Sequence, residues 1–216
     1  MMDIINQLIE SEYEGKVRLK EAELKQQRMS LLYLKNQINP HFLYNTLDTI
    51  RIKAELNGDK EVSAMIMQMV DFFRLSVKAD SQMVSVSHEI RLIQAYLKLM
   101  CCRYPFLNCE YEIDESLLDV EMPNFILQPL VENAISHGLD GCGHGYICIY
   151  AFQKEGILNI SVTDNGCGMS REMEDWINSE APAKRDGHLG LYNVINILKI
   201  YYGQEYGVKA AVSEDG

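Results

Sequence analysis

His41 sits in the run Gln37-Ile38-Asn39-Pro40-His41-Phe42-Leu43-Tyr44-Asn45, and helical geometry gives it an unusual place there. At roughly 100° per residue, Leu43, Leu47, Ile50 and Ala54 gather into one apolar stripe, while His41 falls opposite, beside Gln37, Asn45 and Asp48. The spacing predicts an exposed imidazole, which is a nucleophile open to a second reactant. Further along, Gln128-Pro129-Leu130-Val131-Glu132-Asn133-Ala134-Ile135-Ser136-His137 reads as a helix on which Asn133 and His137, four apart, share a face. An amide oxygen is a hard, neutral ligand suited to Mg²⁺, an ion that keeps several waters and bridges to phosphates. Asp164-Asn165-Gly166-Cys167-Gly168-Met169 comes directly after a strand-like run. There a carboxylate can accept from an exocyclic amine, and glycines let backbone approach a planar ring. Gly187-His188-Leu189-Gly190-Leu191-Tyr192-Asn193 opens a helix whose free N–H groups and positive dipole end suit phosphate. Singly each is ambiguous: Asn133 also fits a cap, Asp-Asn-Gly is a common turn, and the last loop is an ordinary helix start.

The elements that must position these groups fall into a helical half and a strand-and-helix half, an α+β arrangement with its boundary near residue 80. Residues 1–36 are charged and helix-favouring, with scattered apolar positions and no sustained heptad, and read as a connecting or coiled-coil helix. Asn39-Pro40 fits either an N-cap with proline in the first turn or a proline kink. A helix through Leu56 ends at Asn57-Gly58-Asp59, and a second runs from about Lys60 to Val77; together, over 37–80, they make a helical hairpin. Its apolar faces call for a second copy. In 81–216, Ser85 or Ser87 caps a helix running to about Tyr104. Leu107 to Ile113, Tyr146 to Phe152, Ile157 to Thr163 and Val208 to Ser213 carry strand patterning, with Lys154-Glu155-Gly156 as a hairpin turn. Helices are expected at Phe125 to His137 and Leu191 to Tyr202. Ser170 to Asp186 reads as a polar, mobile lid, and the end at Gly216, straight after a strand-like run, reads as truncation.

Composition narrows the function class. The chain has 216 residues, 47% of them hydrophobic, enough for a substantial core. A net charge of −11 sets a repulsive field against a phosphate backbone and excludes nucleic acid as the expected partner. The six cysteines show no CxxC pair and read as reduced thiols. No run approaches the ~20 apolar residues that span a bilayer, so membrane attachment is expected only through segments absent from this chain.

Taken in order, a helix with Glu132-Asn133, a strand-end Asp164-x-Gly166-x-Gly168 and a Gly187-x-x-Gly190-Leu191 loop resemble the N, G1 and G2 boxes of the ATP-binding fold shared by gyrase, histidine kinases and MutL. With Asn39-Pro40-His41-Phe42-Leu43-Tyr44-Asn45, the likeness narrows to LytS-like sensor histidine kinases, over about residues 30 to 216. Phe73-Arg74-Leu75-Ser76, the helix from Glu89 to Tyr96-Leu97, and Pro123 through Gly138 add to it. The resemblance implies a helical-hairpin dimerisation and phosphoacceptor domain over 37–80, then an α/β two-layer sandwich ATP-binding domain of Bergerat type over 81–216. It also implies ATP and Mg²⁺ as cofactors, a homodimer, a response regulator as partner, and the cytoplasmic portion of an inner- or plasma-membrane sensor. His41 becomes the phosphoacceptor with Asn45 orienting its ring. Asn133 becomes the Mg²⁺ ligand, Glu132 and His137 lie at the phosphate and metal end, and Asp164 reads adenine. Gly166, Gly168, Gly187, Gly190 and Leu191 frame the nucleotide and its lid.

There are departures from the pattern. Related ATP-hydrolysing enzymes carry a water-activating glutamate four residues before the metal asparagine, where this chain has Pro129, an exchange that favours transfer to histidine over hydrolysis. Phe42 stands where many histidine kinases carry an acid, and His188 where the lid motif often has glycine. The alternative reading is a degenerate nucleotide-binding or dimerisation module without kinase activity.

Overall fold

The computed structural model describes residues 40–78, 81–138, 144–180, 182–185 and 187–212, with only the backbone for Pro40, Lys78 and His137. The expected helix over 1–36, Asn39, Cys142 and Ser213 lie outside the described residues. The chain divides into two units, Met1–Thr49 and Ile50–Gly216, and the first helix crosses that division.

Helix α1 spans Pro40–Leu56 and α2 spans Lys60–Lys78. Gly58, at φ +78°, ends α1 in a left-handed conformation. There Asp59 N–H reaches Ala54 O at 2.9 Å and Gly58 N–H reaches Glu55 O at 3.0 Å. Asp59 then turns its carboxylate to Val62 N–H at 3.1 Å and caps α2. The Asn-Gly-Asp signal thus closes one helix and opens the next.

In the second unit, strand β1 (Met83–Ser85) runs into helix α3 (Val86–Arg103). Ser85 Oγ accepts from His88 N–H at 3.2 Å, so the expected serine cap is Ser85. Strand β2 (Leu107–Ile113), a 3-10 turn, and the short strand β3 (Glu121–Pro123) come next; then helix α4 (Leu127–Asn133) and a wider π turn, Ala134–Gly138. Strands β4 (Gly145–Lys154) and β5 (Ile157–Asp164) form a hairpin, and helices α5 (Arg171–Ile177) and α6 (Leu189–Tyr202) complete the described elements. The hairpin turns on Glu155 and Gly156, both at positive φ, which matches the twist of the flanking strands.

The main sheet has the order β2-β4-β5, with β2 parallel to β4 and β4 antiparallel to β5; β1 and β3 pair antiparallel in a separate ribbon. Alternation along the strands turns one face to the helices. Leu107, Ile147 and Ile149 from the sheet meet Ile90, Ile93 and Leu97 of α3, Leu127 and Val131 of α4, and Val194 of α6 in one apolar cluster. Helices on one face of a mixed sheet make the α/β two-layer part. Tyr96 also stacks on Phe72 of α2, with ring centroids 5.7 Å apart, so α2 packs on α3.

Two expectations need correction. The run Val208 to Ser213 forms no strand over its described residues 208–212. The backbone of Ala210 bonds instead to the side-chain amide of Asn178, at 3.0 and 2.9 Å, so its polar groups are satisfied without a strand partner. The lid segment is not uniformly polar loop: Ser170 caps α5, and Met173 and Ile177 are buried against Leu191 and Ile195. Apolar residues four apart in a polar stretch gave that helix a face to bury.

Candidate functional site

His41 is exposed on α1, as are Asn45 and Asp48, while Leu47 and Ala54 of the opposite stripe are buried. One helical turn separates His41 from Asn45, and Asn45 Nδ2 lies 3.3 Å from His41 Nδ1. The two ring nitrogens are then chemically distinct. An amide that presents its oxygen to Nδ1–H leaves the Nε2 lone pair for attack, whereas one that presents its NH₂ puts the proton on Nε2.

In the second unit, the groups singled out in the sequence sit at the ends of elements. Asn133 closes α4, half-buried, and its amide has no hydrogen-bond partner among the described residues. Glu132 accepts from Gln128 Nε2 at 2.7 Å, one turn back on the same helix. Its charge acts on Tyr96 of α3, whose hydroxyl is pushed up to about 12 by burial first and by Glu132 second. His137 lies in the π turn beyond Asn133, with its side chain outside the described residues. Such turns lodge an extra residue in a helix.

Asp164 ends β5, half-buried, and one of its oxygens accepts from Gly166 N–H at 2.9 Å. A carboxylate has about four lone-pair sites, so acceptor capacity remains for a ligand amine. Asn165 behind it clamps the loop to β4. Its Oδ1 accepts from Tyr146 N–H at 2.7 Å, and its Nδ2 donates to His144 O at 3.1 Å. Gly168 has φ +70°, and a Cβ there would lie 3.3 Å from Val212 Cγ1. The positive φ favours glycine, and a Cβ would also need Val212 to give way by a few tenths of an ångström.

At the start of α6, Gly187 has φ +85°, and a Cβ on Gly190 would lie 3.2 Å from Cβ of Pro129. This contact explains two sequence features together. Pro129, the departure from the hydrolytic pattern, is the surface on which the glycine of the last loop closes, and Leu130 beside it packs into the cluster of Met173, Ile177, Leu191 and Ile195. Leu191 is therefore a buried packing residue holding α6 to α5. Arg185 pairs with Glu172 at 3.1 Å, and Trp176 Nε1 donates to Ala183 O at 2.8 Å, so the segment between α5 and α6 is bonded back onto α5.

Glu89, named in the sequence only as part of a matching helix, has a structural role that this match does not show. Its side chain is fully buried, and its carboxylate accepts from Phe125 N–H at 2.8 Å, Ile126 N–H at 3.1 Å and Leu127 N–H at 3.0 Å. Burial pushes its pKa up, and the three donors pull it part of the way back. An acid on an otherwise apolar helix face, level with Ile90 and Ile93, was the available signal.

The donor set fits a magnesium nucleotide: an untied amide at a helix end, a strand-end carboxylate with capacity to spare, and glycine-bearing backbone at two loops. Among the described residues, Glu110, Glu112 and Cys148 also lie within 4.8 Å of one another, on β2 and β4 rather than at these loops.

Residues 29–106 match the family model for histidine kinase, and residues 119–215 match the model for histidine kinase-, DNA gyrase B-, and HSP90-like ATPase. The chain is 31% identical over 214 residues to the sensor histidine kinase YesM of Bacillus subtilis (strain 168), covering 97% of this chain and 34% of that protein. It is 32% identical over 203 residues to the sensor histidine kinase BtsS of Escherichia coli (strain K12), covering 93% and 34%. To the sensor protein LytS of Staphylococcus epidermidis (strain ATCC 35984) it is 33% identical over 174 residues, covering 79% and 28%. A solved histidine kinase domain, from the Erythrobacter litoralis EL346 blue-light activated histidine kinase, aligns with a TM-score of 0.42 at 14% identity, covering 74% of this chain and 76% of that one. The chain spans about a third of the length of the curated relatives it matches. Two family models matched in this order, with relatives similar across nearly the whole chain, make it a member of the LytS-like sensor histidine kinase family.

Proposed function

We propose that this chain is the cytoplasmic catalytic portion of a membrane sensor that phosphorylates itself on His41 from ATP and passes the phosphoryl group to an aspartate of a response regulator. Residues 37–80 serve as the dimerisation and phosphoacceptor hairpin, and 81–216 as the ATP-binding domain. The observation that carries this reading is His41 itself: exposed, on a helix, with Nδ1 addressed by Asn45.

With the Asn45 amide turned so that Oδ1 takes the place of Nδ2 and accepts from Nδ1–H, Nε2 attacks the γ-phosphorus in line; an N–P bond forms, the bond to the β,γ-bridging oxygen breaks, and the Nε2 centre carries no proton to lose while the ring keeps its proton on Nδ1. Phe42 supplies no acid at the next position, so Asn45 sets the tautomer without acting as a base. Magnesium, when bound, offsets charge on the phosphates. Asn133 would hold it, with Glu132 and His137 at the same end. Asp164 accepts from the adenine amine, and the backbone of Gly166, Gly168, Gly187 and Gly190 admits the nucleotide closely. Pro129 leaves no side-chain base to activate water, which supports transfer over hydrolysis.

A second copy would cover the apolar surface left on α1, where Ile50 is 46% and Leu56 81% exposed. His41, Asn133 and Asp164, which a degenerate module would be free to lose, are all present. Labelled ATP tests the reading. The wild-type chain is expected to gain acid-labile, base-stable phosphate, and His41→Gln none while it still binds nucleotide. Phosphate retained on His41→Gln overturns the assignment.

A further inference from the structure

Helix α4 is only seven residues long, too short to hold itself in water, and its first residues offer no cap of their own. Ile126 stands at the N-cap position and makes no side-chain cap bond. The orphan N–H groups go instead to Glu89, on α3. Phe125, at φ +61°, occupies the left-handed region that a bulky side chain rarely enters. That conformation turns its N–H to the same carboxylate as the N–H groups of Ile126 and Leu127, with donor distances of 2.8, 3.1 and 3.0 Å. Three successive N–H groups round a concavity form an anion nest, and here the anion is a side chain of the protein.

Glu89 is itself held firmly. The first N–H groups of α3 are all used: Val86 N–H to Val120 O at 2.8 Å, Ser87 N–H to Leu118 O at 2.9 Å, and His88 N–H to Ser85 Oγ. Asn124, just before the nest, donates its N–H to Gln82 O at 3.0 Å, beyond the end of the β1–β3 ribbon. The start of α4 is thus fixed on two sides. Its other end carries Asn133, whose amide no described residue holds. At 1.5 Å per residue, the position of Asn133 is set about 9 Å away, where the helix begins.

We infer that Glu89 is a positioning residue for the metal end of the nucleotide site: its carboxylate anchors α4 so that Asn133 meets magnesium at the right depth. This rests on the proposed role of Asn133 and adds a residue to it. A cap that served folding alone would weaken all nucleotide contacts together. A positioning residue weakens the magnesium-dependent part selectively.

The test uses the 216-residue chain, AMP-PNP with varied Mg²⁺, and adenosine without metal as the probe of the adenine end. In Glu89→Gln one acceptor oxygen becomes an NH₂ that faces N–H donors. Folded variant, checked by circular dichroism, is expected to need about 10–100-fold more Mg²⁺ for half-saturation, the range for losing a group that supports a metal ligand. Adenosine affinity is expected to stay within about twofold, as for sites that do not couple. Glu89→Asp keeps the charge and should recover part of the Mg²⁺ response. Equal losses for both ligands, or an unchanged Mg²⁺ requirement, overturn the inference. Should the variants not fold, wild-type NMR decides. Adding Mg²⁺ to the nucleotide-bound chain is expected to shift the Glu89 carboxyl carbon and the amides of Phe125, Ile126 and Leu127. Silence there while the Asn133 amide shifts overturns it. Wild type that binds adenosine and no Mg-nucleotide removes the proposed function, and this inference with it.

Discussion

Helices α1 and α4 both carry a group proposed to act on phosphate, and they place it by opposite means. On α1 the proposed phosphoacceptor ring is exposed, and the residue proposed to orient it lies one turn along the same helix, so sequence spacing alone brings His41 and Asn45 together. On α4 the proposed ligand sits at the last residue, and the start of that helix is held by the Glu89 carboxylate, 38 positions before Leu127 in the chain. An exposed nucleophile must be reached by its partner and needs little around it. A metal ligand must hold one position to within a fraction of an ångström, and a two-turn helix acquires that only from its surroundings. Substitutions on the exposed face of α1 should therefore alter chemistry and leave stability alone, whereas substitutions around α4 and the loops beside it should move both.

The largest effect that would break this contrast is expected from Asn133→Ala. Losing a direct magnesium ligand removes several kcal/mol of charge stabilisation, so phosphate incorporation on His41 should fall about 100-fold or more. A rate within a few-fold of wild type would mean that α4 does not carry the metal ligand. The next is Gly168→Ala. The methyl group enters a backbone at φ +70° and meets Val212 at 3.3 Å, and the left-handed strain alone costs about 1–3 kcal/mol. Urea unfolding should show that loss together with weaker nucleotide binding. Unchanged stability would mean that the loop after β5 is not as tightly determined as its contacts indicate.

Legibility in the chain divides the same way. The outward face of α1, the turn at Gly58, the Ser85 cap and the β4–β5 hairpin depend on residues within a few positions of one another, and all appear as their spacing predicts. Contacts made across the chain leave no local trace. Nothing near Phe125 announces a positive φ, because the carboxylate that holds it belongs to another helix. Nothing near Ala210 announces that Asn178 will take both of its backbone bonds in place of a strand. The contact of Pro129 with Gly190 is of the same kind: the sequence shows a missing base at one position and a glycine at the other, and only the fold shows that the two touch. Helix α5 is a different case, since Ser170 as cap, with Glu172 and Glu174 in the first turn, was a readable start signal outweighed by the polarity of the stretch.

The smallest expected effect is the sharpest for the α1 side of the contrast. Asn45 is exposed, so replacing it should change stability by no more than about 0.5 kcal/mol. In Asn45→Leu the ring loses the partner that separates its two tautomers, and Nε2 keeps its lone pair only part of the time. Phosphate incorporation should drop several-fold, within the roughly tenfold that about 1.4 kcal/mol represents. Asn45→Asp retains an oxygen that can only accept from Nδ1–H, so it should match or exceed wild type at neutral pH. If both variants lose activity equally, a steric role would explain Asn45 better than a tautomeric one. If Asn45→Leu also unfolds more easily, α1 is not the self-sufficient display that its exposed face suggests, and the difference between the two helices would be one of degree.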